Sequence, residues 1–204
     1  MLPHKTLPRE FYARNPKTVA IELLGKILVR RLGNAHLKGI IVETEAYYGI
    51  DDPASRAREG MKRYNMPMWD TPGLAFIYNV HNNWMLNVVA HEPNSVGAVL
   101  IRALEPLSEI ELMMANRRVN NIIKLTSGPG RLTRALKIDR ELNYVDLTMS
   151  EGPLFIVDGE VAHEIGSSHR IGVRRDLNEE LRFYIKGNPF VSISERRIRP
   201  SNQP

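Results

Sequence analysis

The segment VETEAYYG, residues 42–49, places two carboxylates and a phenol at every second position of a strand-like run. Because successive side chains of a strand point to opposite faces, Glu43, Glu45 and Tyr47 share one face. Their spacing sets the two glutamate Cα atoms about 7 Å apart, within reach of one small substrate. The ordinary alternative is a solvated face on an edge strand, since charged side chains are mostly exposed.

The length and composition predict one globular domain. The chain has 204 residues, of which 43% are hydrophobic and 25% are charged, and this suits a single sizeable core. Residues 1–204 are therefore predicted to form one domain, with a frayed tail from about residue 196 to residue 204. No apolar run approaches the roughly 18 residues of a membrane helix, and no signal-peptide core is evident. We expect an intracellular protein without membrane contact.

Residue counts exclude several kinds of site. With no cysteine in the chain, thiol nucleophiles, disulfides and cysteine-based metal sites are absent. His163 and His169 are too far apart for a zinc-binding pair on one helical turn, so no metal ligands are predicted. Lys and Arg number 28 against 23 Asp and Glu, an excess that favours a polyanionic partner.

Apolar runs and turn residues predict an α+β domain on a curved, mostly antiparallel sheet. Asn15 and Pro16 predict the start of a helix that runs to about Leu24. Ser108 and Glu111 form a capping-box pattern for another helix. A glycine-rich turn in SGPGRLTR leads into a basic helix. The predicted strands cover residues 27–32, 37–47, 74–80, 84–90, 97–104, 154–157, 170–173 and 181–185.

Two basic segments suit contacts with phosphates. The first, SRAREGMKR, adjoins Tyr64 and precedes Trp69, and rings interleaved with cations are typical of nucleic-acid binding. In the second, SGPGRLTR, free N–H groups at a helix start could face an anion, the alternative being a plain cap with solvated arginines. The residues predicted to contact a DNA backbone are Arg58, Arg63, Gly128, Gly130, Arg131 and Arg134.

Seven stretches together resemble the alkyladenine (methylpurine, 3-methyladenine) DNA glycosylase family. They occur in the family's order between about residue 6 and residue 195: LLGKILVRRL, IVETEAYYG, PGLAFIY, VLIRALEPL, SGPGRL, DLT and LRFYIKGNPFVS. The resemblance implies an open barrel-like sheet, similar to the C-terminal domain of formyltransferases, with flanking helices and a protruding β-hairpin.

The resemblance implies a monofunctional DNA glycosylase that acts as a monomer on double-stranded DNA. Such an enzyme flips a damaged purine, alkylated or deaminated, out of the duplex, hydrolyses its N-glycosidic bond and leaves an abasic site, with no metal or other cofactor. Glu45 matches the general base that activates the water, and Arg102 matches a charged neighbour that positions it. Glu43 is then predicted to be a structural carboxylate.

An aromatic pocket for the extruded base is also implied by the resemblance. Tyr47 would stack on one face of the base and Tyr78 would lie on its other side, with Ala54 nearby. Asn87 would hinder the exocyclic amino group of normal guanine. Extrusion costs a few kcal/mol, and stacking returns roughly 1 to 3 kcal/mol per base.

One departure from the family pattern concerns substrate choice. Arg56 stands where the family has a histidine, nine residues after Tyr47. A guanidinium cannot accept a hydrogen bond and repels a cationic alkylated purine. Arg56 is expected either to swing out to a phosphate or to favour neutral lesions such as hypoxanthine.

A second departure lies at the tip of the predicted hairpin. The tip is one residue shorter than the family pattern and lacks its intercalating tyrosine. By count, His81 takes that position with Val80 as its neighbour, and either could wedge between base steps.

Three other functions remain open, one of them because the implied fold resembles that of the formyltransferase C-terminal domain. A non-catalytic nucleic-acid-binding module would use the basic segments and aromatics, and Glu45 would be structural. A module of similar fold could grip transfer RNA. A sugar hydrolase would use Glu43 and Glu45 as acid and nucleophile, although such carboxylates normally come from different strands or loops.

Overall fold

An eight-stranded antiparallel sheet forms the framework of the protein. The structure is a computed structural model that describes residues 5–159 and 164–192. The strands in these ranges are β1 (Ile27–Leu32), β2 (Ala35–Tyr47), β3 (Ala75–Val80), β4 (Asn83–Val89), β5 (Ala98–Ser108), β6 (Leu154–Val157), β7 (Ile165–Ser168) and β8 (Arg182–Ile185). The sheet order is β3-β4-β5-β2-β1-β6, with β8 paired to β2 and β7 paired to β8. The predicted α+β class with a curved antiparallel sheet is confirmed. The expected frayed tail, residues 196–204, lies outside the described residues.

Strand β2 runs through the interior of the sheet. It pairs with β5 along one side and with β1 and then β8 along the other. Its register against β5 shifts on both sides of Glu43, and such irregularities bend a strand. Glu43 and Glu45 are fully buried. The solvated edge face considered from the sequence is therefore wrong.

Four short helices flank the sheet in the described residues: α1 (Arg9–Tyr12), α2 (Pro16–Glu22), α3 (Ile110–Arg117) and α4 (Pro129–Ala135). As predicted, the Asn15 side chain caps α2, accepting the Lys17 N–H at 2.9 Å. The Thr44 hydroxyl donates to the Ala20 carbonyl at 2.8 Å, which fastens α2 to β2. None of these helices has the length or apolarity to cross a bilayer.

Two local predictions are wrong, because polar groups that the predictions needed form hydrogen bonds with other parts of the fold: the Ser108 hydroxyl bonds to His36 and the Arg170 backbone N–H bonds to Asp176. The Ser108 hydroxyl donates to the His36 carbonyl of the facing strand at 2.6 Å, so it does not cap α3. Glu109, the residue just before that helix, has a left-handed φ of 55° and makes no side-chain cap. The strand predicted at residues 170–173 is also absent from the described structure, in which β7 ends at Ser168.

Strands β3 and β4 form the predicted hairpin. Two residues close it, His81 and Asn82, with φ of 46° and 61°. Positive φ at both central residues is the geometry of a type I′ turn, whose twist matches the flanking strands. Both residues are exposed, whereas Val80 is half-buried.

Candidate active site

Glu45 lies fully buried near the end of β2, and its carboxylate accepts two hydrogen bonds and forms one ion pair. The Tyr47 hydroxyl donates to Oε2 at 2.7 Å. The Ile171 backbone N–H donates to Oε1 at 2.8 Å, and Arg102 Nη1 lies 3.1 Å from the same oxygen. The carboxylate is thereby held in one orientation without contact with bulk solvent.

Burial is the largest influence on the pKa of Glu45 and raises it above the ordinary value for a glutamate. Arg102, the Ile171 amide and the Tyr47 hydroxyl act in the opposite direction, while the nearby Glu43 charge adds to the rise. A carboxylate with a raised pKa is a better proton acceptor than an exposed one. The environment therefore suits a general base.

Glu43, two residues earlier, has a different environment. Its Oε1 accepts from Arg102 Nε at 2.8 Å, Arg182 Nε at 2.7 Å and the Ser192 hydroxyl at 2.8 Å. Its Oε2 accepts the Ser192 backbone N–H at 2.7 Å. Burial alone would raise the pKa of Glu43, but the two arginines and Ser192 outweigh it and hold the pKa below its usual value. Glu43 therefore stays ionised to lower pH than an ordinary glutamate, and it anchors Arg102.

The two predicted tyrosines each lie beneath a guanidinium. Arg170 lies 4.6 Å from the ring centre of Tyr47, and Arg56 lies 4.7 Å from that of Tyr78. Burial is the main cause that raises the pKa of both phenols. The Glu45 charge also contributes to the raised pKa of both phenols. Arg56 therefore covers one face of the Tyr78 ring.

A cleft of about 520 Å³ opens beside Arg102. Arg102, Lys124 and Arg131 give its lining a positive charge, and Met85 of β4 contributes an apolar wall. The predicted phosphate-binding segment at Gly128–Gly130 forms part of its rim. Because Arg102 contacts both this cleft and Glu45, a polyanion in the cleft would lie close to the buried carboxylate.

A smaller cleft of about 320 Å³ lies at Tyr78. Arg56, Arg63, Tyr64 and Trp84 line it together with residues of β3. The other two predicted backbone contacts line neither cleft. Arg58 pairs with Glu59 at 3.4 Å. Arg134 donates to the Asn82 carbonyl at 3.3 Å.

The model of the methylpurine-DNA glycosylase family matches residues 10–189 of this chain. The chain belongs to that family. A relative from Aeropyrum pernix, which carries the provisional name 3-methyladenine DNA glycosylase, is 42% identical over 200 residues, or 97% of each chain. A relative of the same name from Koribacter versatilis is 41% identical over 191 residues, covering 91% of this chain and 92% of its own. The resemblance drawn from the seven stretches is confirmed.

Asn87 and Ala54, which the glycosylase resemblance assigns to the base pocket, are held by backbone contacts. Asn87 is 2% exposed and donates to the carbonyls of Phe76 and Met85 at 3.0 and 3.2 Å. The Ala54 N–H donates to Asp52 at 2.9 Å. The Asn87 amide is thus fixed across the β3–β4 hairpin. Both of these bonds are donated by its nitrogen, and its oxygen takes part in neither.

Sequence reasoning missed the residues that hold the two carboxylates from the far end of the chain. Ile171 acts through its backbone, which leaves no signal in the side-chain pattern. Arg182 gives one signal, because it is the only charge in the apolar run LRFYI. Ser192 and Arg170 lie in segments without regular structure.

Proposed function

We propose that this methylpurine-DNA glycosylase family member flips a damaged purine, alkylated or deaminated, out of duplex DNA and hydrolyses its N-glycosidic bond. The observation that carries the proposal is the buried Glu45 carboxylate, held by Tyr47, the Ile171 N–H and Arg102, with a cationic cleft beside Arg102. A base within a duplex is unreachable, so chemistry on it requires extrusion.

The chemical step assigned to Glu45 is activation of a water molecule. The water oxygen forms a bond to the anomeric carbon of the sugar while the bond from that carbon to the purine nitrogen breaks. The bonding electron pair leaves with the purine, and Glu45 takes the proton of the water. A cationic alkylated purine leaves as the neutral base, whereas a neutral purine leaves as an anion that then takes up a proton from water. The other product is an abasic site, and the step needs no metal or other cofactor.

The arrangement of guanidinium groups indicates which tyrosine faces receive the base. Arg170 has no exposed side-chain surface and donates to two carboxylates, so it stays on its face of Tyr47. Arg56 is only half-buried over Tyr78 and can leave. The extruded base would therefore stack on the free face of Tyr47, with Tyr78 on its other side after Arg56 moves. Asn87 would then disfavour normal guanine.

The positive cleft beside Arg102 is proposed to bind the phosphates of double-stranded DNA. Arg131 and the rim at Gly128–Gly130 would contact the backbone, with Arg58, Arg63 and Arg134 as more peripheral contacts. One chain contains every residue assigned to the reaction, so we propose a monomer. Because bound cations displace counterions, DNA affinity should fall steeply with salt.

Base release from defined duplexes tests the proposed function. Duplexes with one methylated, deaminated or etheno purine are incubated with excess protein, and free bases and abasic sites are measured. Release with intact strands until alkali is added is expected of a monofunctional glycosylase. Strand nicking without alkali, or no release from any duplex, would contradict the proposal.

If Arg56 shifts only to the edge of the base site instead of swinging out to a phosphate, it is expected to set a preference for neutral lesions. Two unit charges about 4 Å apart repel by about 1 kcal/mol in water and about 4 kcal/mol near a protein surface. We expect single-turnover release of hypoxanthine to exceed that of cationic 7-methylguanine. Arg56→Gln should raise the relative rate on 7-methylguanine at least about tenfold, since about 1.4 kcal/mol corresponds to that factor.

Arg58→Gln is the matched control for Arg56, because it removes the same charge two residues away from a side chain that does not contact Tyr78. It should weaken binding of both duplexes and leave the ratio of the two rates unchanged. A strong preference of the native protein for 7-methylguanine would exclude Arg56 as a charge filter.

The hairpin tip is proposed to wedge into the duplex through His81, with Val80 beside it. Because an inserted side chain holds the gap that extrusion leaves, His81→Ala should slow base release from duplexes more than it weakens binding to undamaged DNA. Release from a lesion in single-stranded DNA, which needs no wedge, is the internal control. Equal duplex activity of the two proteins would argue against intercalation at this tip.

A further inference from the structure

Arg170 lies in the irregular segment between β7 and β8, and its side chain is fully buried. All five of its guanidinium N–H groups have acceptors. Asp52 accepts from Nη1 and Nη2 at 2.6 and 2.7 Å. Asp176 accepts from Nε and Nη2 at 2.8 and 2.6 Å, and the Ala46 carbonyl accepts from Nη1 at 2.9 Å. The guanidinium is thus fixed in position and in orientation.

These bonds join two segments that border Glu45. Asp52 also accepts the backbone N–H groups of Tyr48 and Ala54 at 3.0 and 2.9 Å, which shapes the loop after β2. On the other side, Arg170 fixes its own segment, and the next residue, Ile171, presents its N–H to Glu45 Oε1. The guanidinium also covers one face of the Tyr47 ring.

The cost of this cluster suggests that it does more than stabilise the fold. Arg170 and Asp52 have no exposed side-chain surface, and removing such charges from water costs several kcal/mol per ion. A well-packed apolar cluster of similar volume is often as stable or more stable. An apolar cluster would lack the hydrogen bonds and the cation–ring contact that fix the orientation of the Ile171 N–H and of the Tyr47 ring.

We infer that Arg170, braced by Asp52 and Asp176, is a positioning residue that orients the Glu45 carboxylate and the Tyr47 ring for base release. It touches neither the water nor the base, and it acts through the Ile171 N–H and through the covered ring face. The inference rests on the proposed function of Glu45, and it adds residues that the catalytic assignment does not include.

Arg170→Lys and Asp176→Asn test the inference. Lysine lacks the planar fork and offers three donors, so it cannot keep all five bonds. A misplacement of about 1 Å can cost about 10²-fold in rate, and we expect a loss of about that size for Arg170→Lys and a smaller one for Asp176→Asn. The dissociation constant for undamaged DNA should change less than twofold, since the cluster lies beneath the site.

The pH profile distinguishes positioning from general damage. Glu45 is faced by Arg102, Tyr47, Glu43 and the Ile171 amide, and loss of the amide bond removes a donor that favours the ionised form. The acid limb of the single-turnover rate should therefore move to higher pH in both variants. Glu179→Gln is the matched control, because Glu179 lies in the same segment as Arg170 but forms only an exposed ion pair with Lys17 of α2. The pH profile of this variant should equal that of the native protein.

Two measurements separate this inference from the proposed function. The inference predicts faster hydrogen exchange of the Ile171 amide and a higher Glu45 pKa, measured by NMR, in Asp176→Asn than in the native protein. Both can be measured even if the native protein releases no base, a result that would contradict only the glycosylase proposal. If folded Asp176→Asn keeps the native exchange rate and the native Glu45 pKa, the positioning role is wrong.

Discussion

Glu45→Gln is expected to abolish base release and to retain binding to lesion-containing duplexes. A glutamine has nearly the shape of glutamate but cannot take a proton from water at neutral pH. General base catalysis contributes about 10² to 10⁴-fold to a rate, so the single-turnover rate should fall by at least about 10²-fold. A binding module in which Glu45 is only structural would show no base release from either protein.

The partners of Glu45 explain why glutamine should fit at this position. The amide oxygen can accept from the Ile171 N–H and lie close to Arg102, as Oε1 does now. The amide NH₂ would then face the Tyr47 hydroxyl, which can rotate to accept a hydrogen bond. Because burial raises the pKa of Glu45, its ionised form costs stability above the unfolded-state pKa. The neutral variant should therefore unfold at no lower temperature than the native protein.

The pH dependence of the rate of the native enzyme gives a second test of Glu45 as the general base. Glu45 works only when ionised, so the rate should rise with pH through an apparent pKa above the value of about 4.3 for an ordinary glutamate. Glu22→Gln, which alters an exposed carboxylate paired with Arg14, should leave the rate and this midpoint unchanged. Full activity of Glu45→Gln would exclude Glu45 as the base.

Glu43→Gln is expected to destabilise the protein by about 3 to 5 kcal/mol, the usual cost of removing one partner from a buried ion pair. Both orientations of the new amide fail. With NH₂ in place of Oε2 it meets the Ser192 backbone N–H, and with NH₂ in place of Oε1 it meets Arg102 and Arg182. The buried Arg182 would then lack its carboxylate partner, and Arg102 would keep only Glu45. Chemical denaturation followed by circular dichroism measures the change.

The loss in Glu43→Gln should depend on pH in a definite direction. The pKa of Glu43 is lowered in the folded protein, so its contribution is complete above the unfolded-state pKa of about 4.3. It is lost as the pH falls through the folded-state value. The difference in unfolding free energy between native protein and variant should therefore shrink in acid. A difference that is small at pH 7, or independent of pH, would contradict the anchoring role.

Together the two variants separate catalysis from stability within one strand. The same chemical change, two residues apart on one face of β2, should remove activity at Glu45 and stability at Glu43. A sugar hydrolase with both carboxylates in the reaction would instead need both for the chemical step. The four donors that already occupy Glu43 argue against that alternative.

The sequence by itself determined features that depend on near neighbours. The alternation in VETEAYYG placed Glu43, Glu45 and Tyr47 together, and the structure connects the two glutamates through Arg102. The Asn-Pro start of α2 and the β3–β4 hairpin follow from local backbone preferences. The motifs also indicated the glycosylase family, because they occur in the family's order along nearly the whole chain.

Only the tertiary structure decided what each of the two glutamates can do. Their local settings are alike, yet the pKa of Glu45 is raised and that of Glu43 is lowered. The difference comes from partners remote in sequence, since Ile171 is 126 residues from Glu45 and Ser192 is 149 residues from Glu43. A pKa depends on the balance of burial against nearby charges and donors. That balance forms only when β2, β5, β8 and the segment of Arg170 meet in the folded chain.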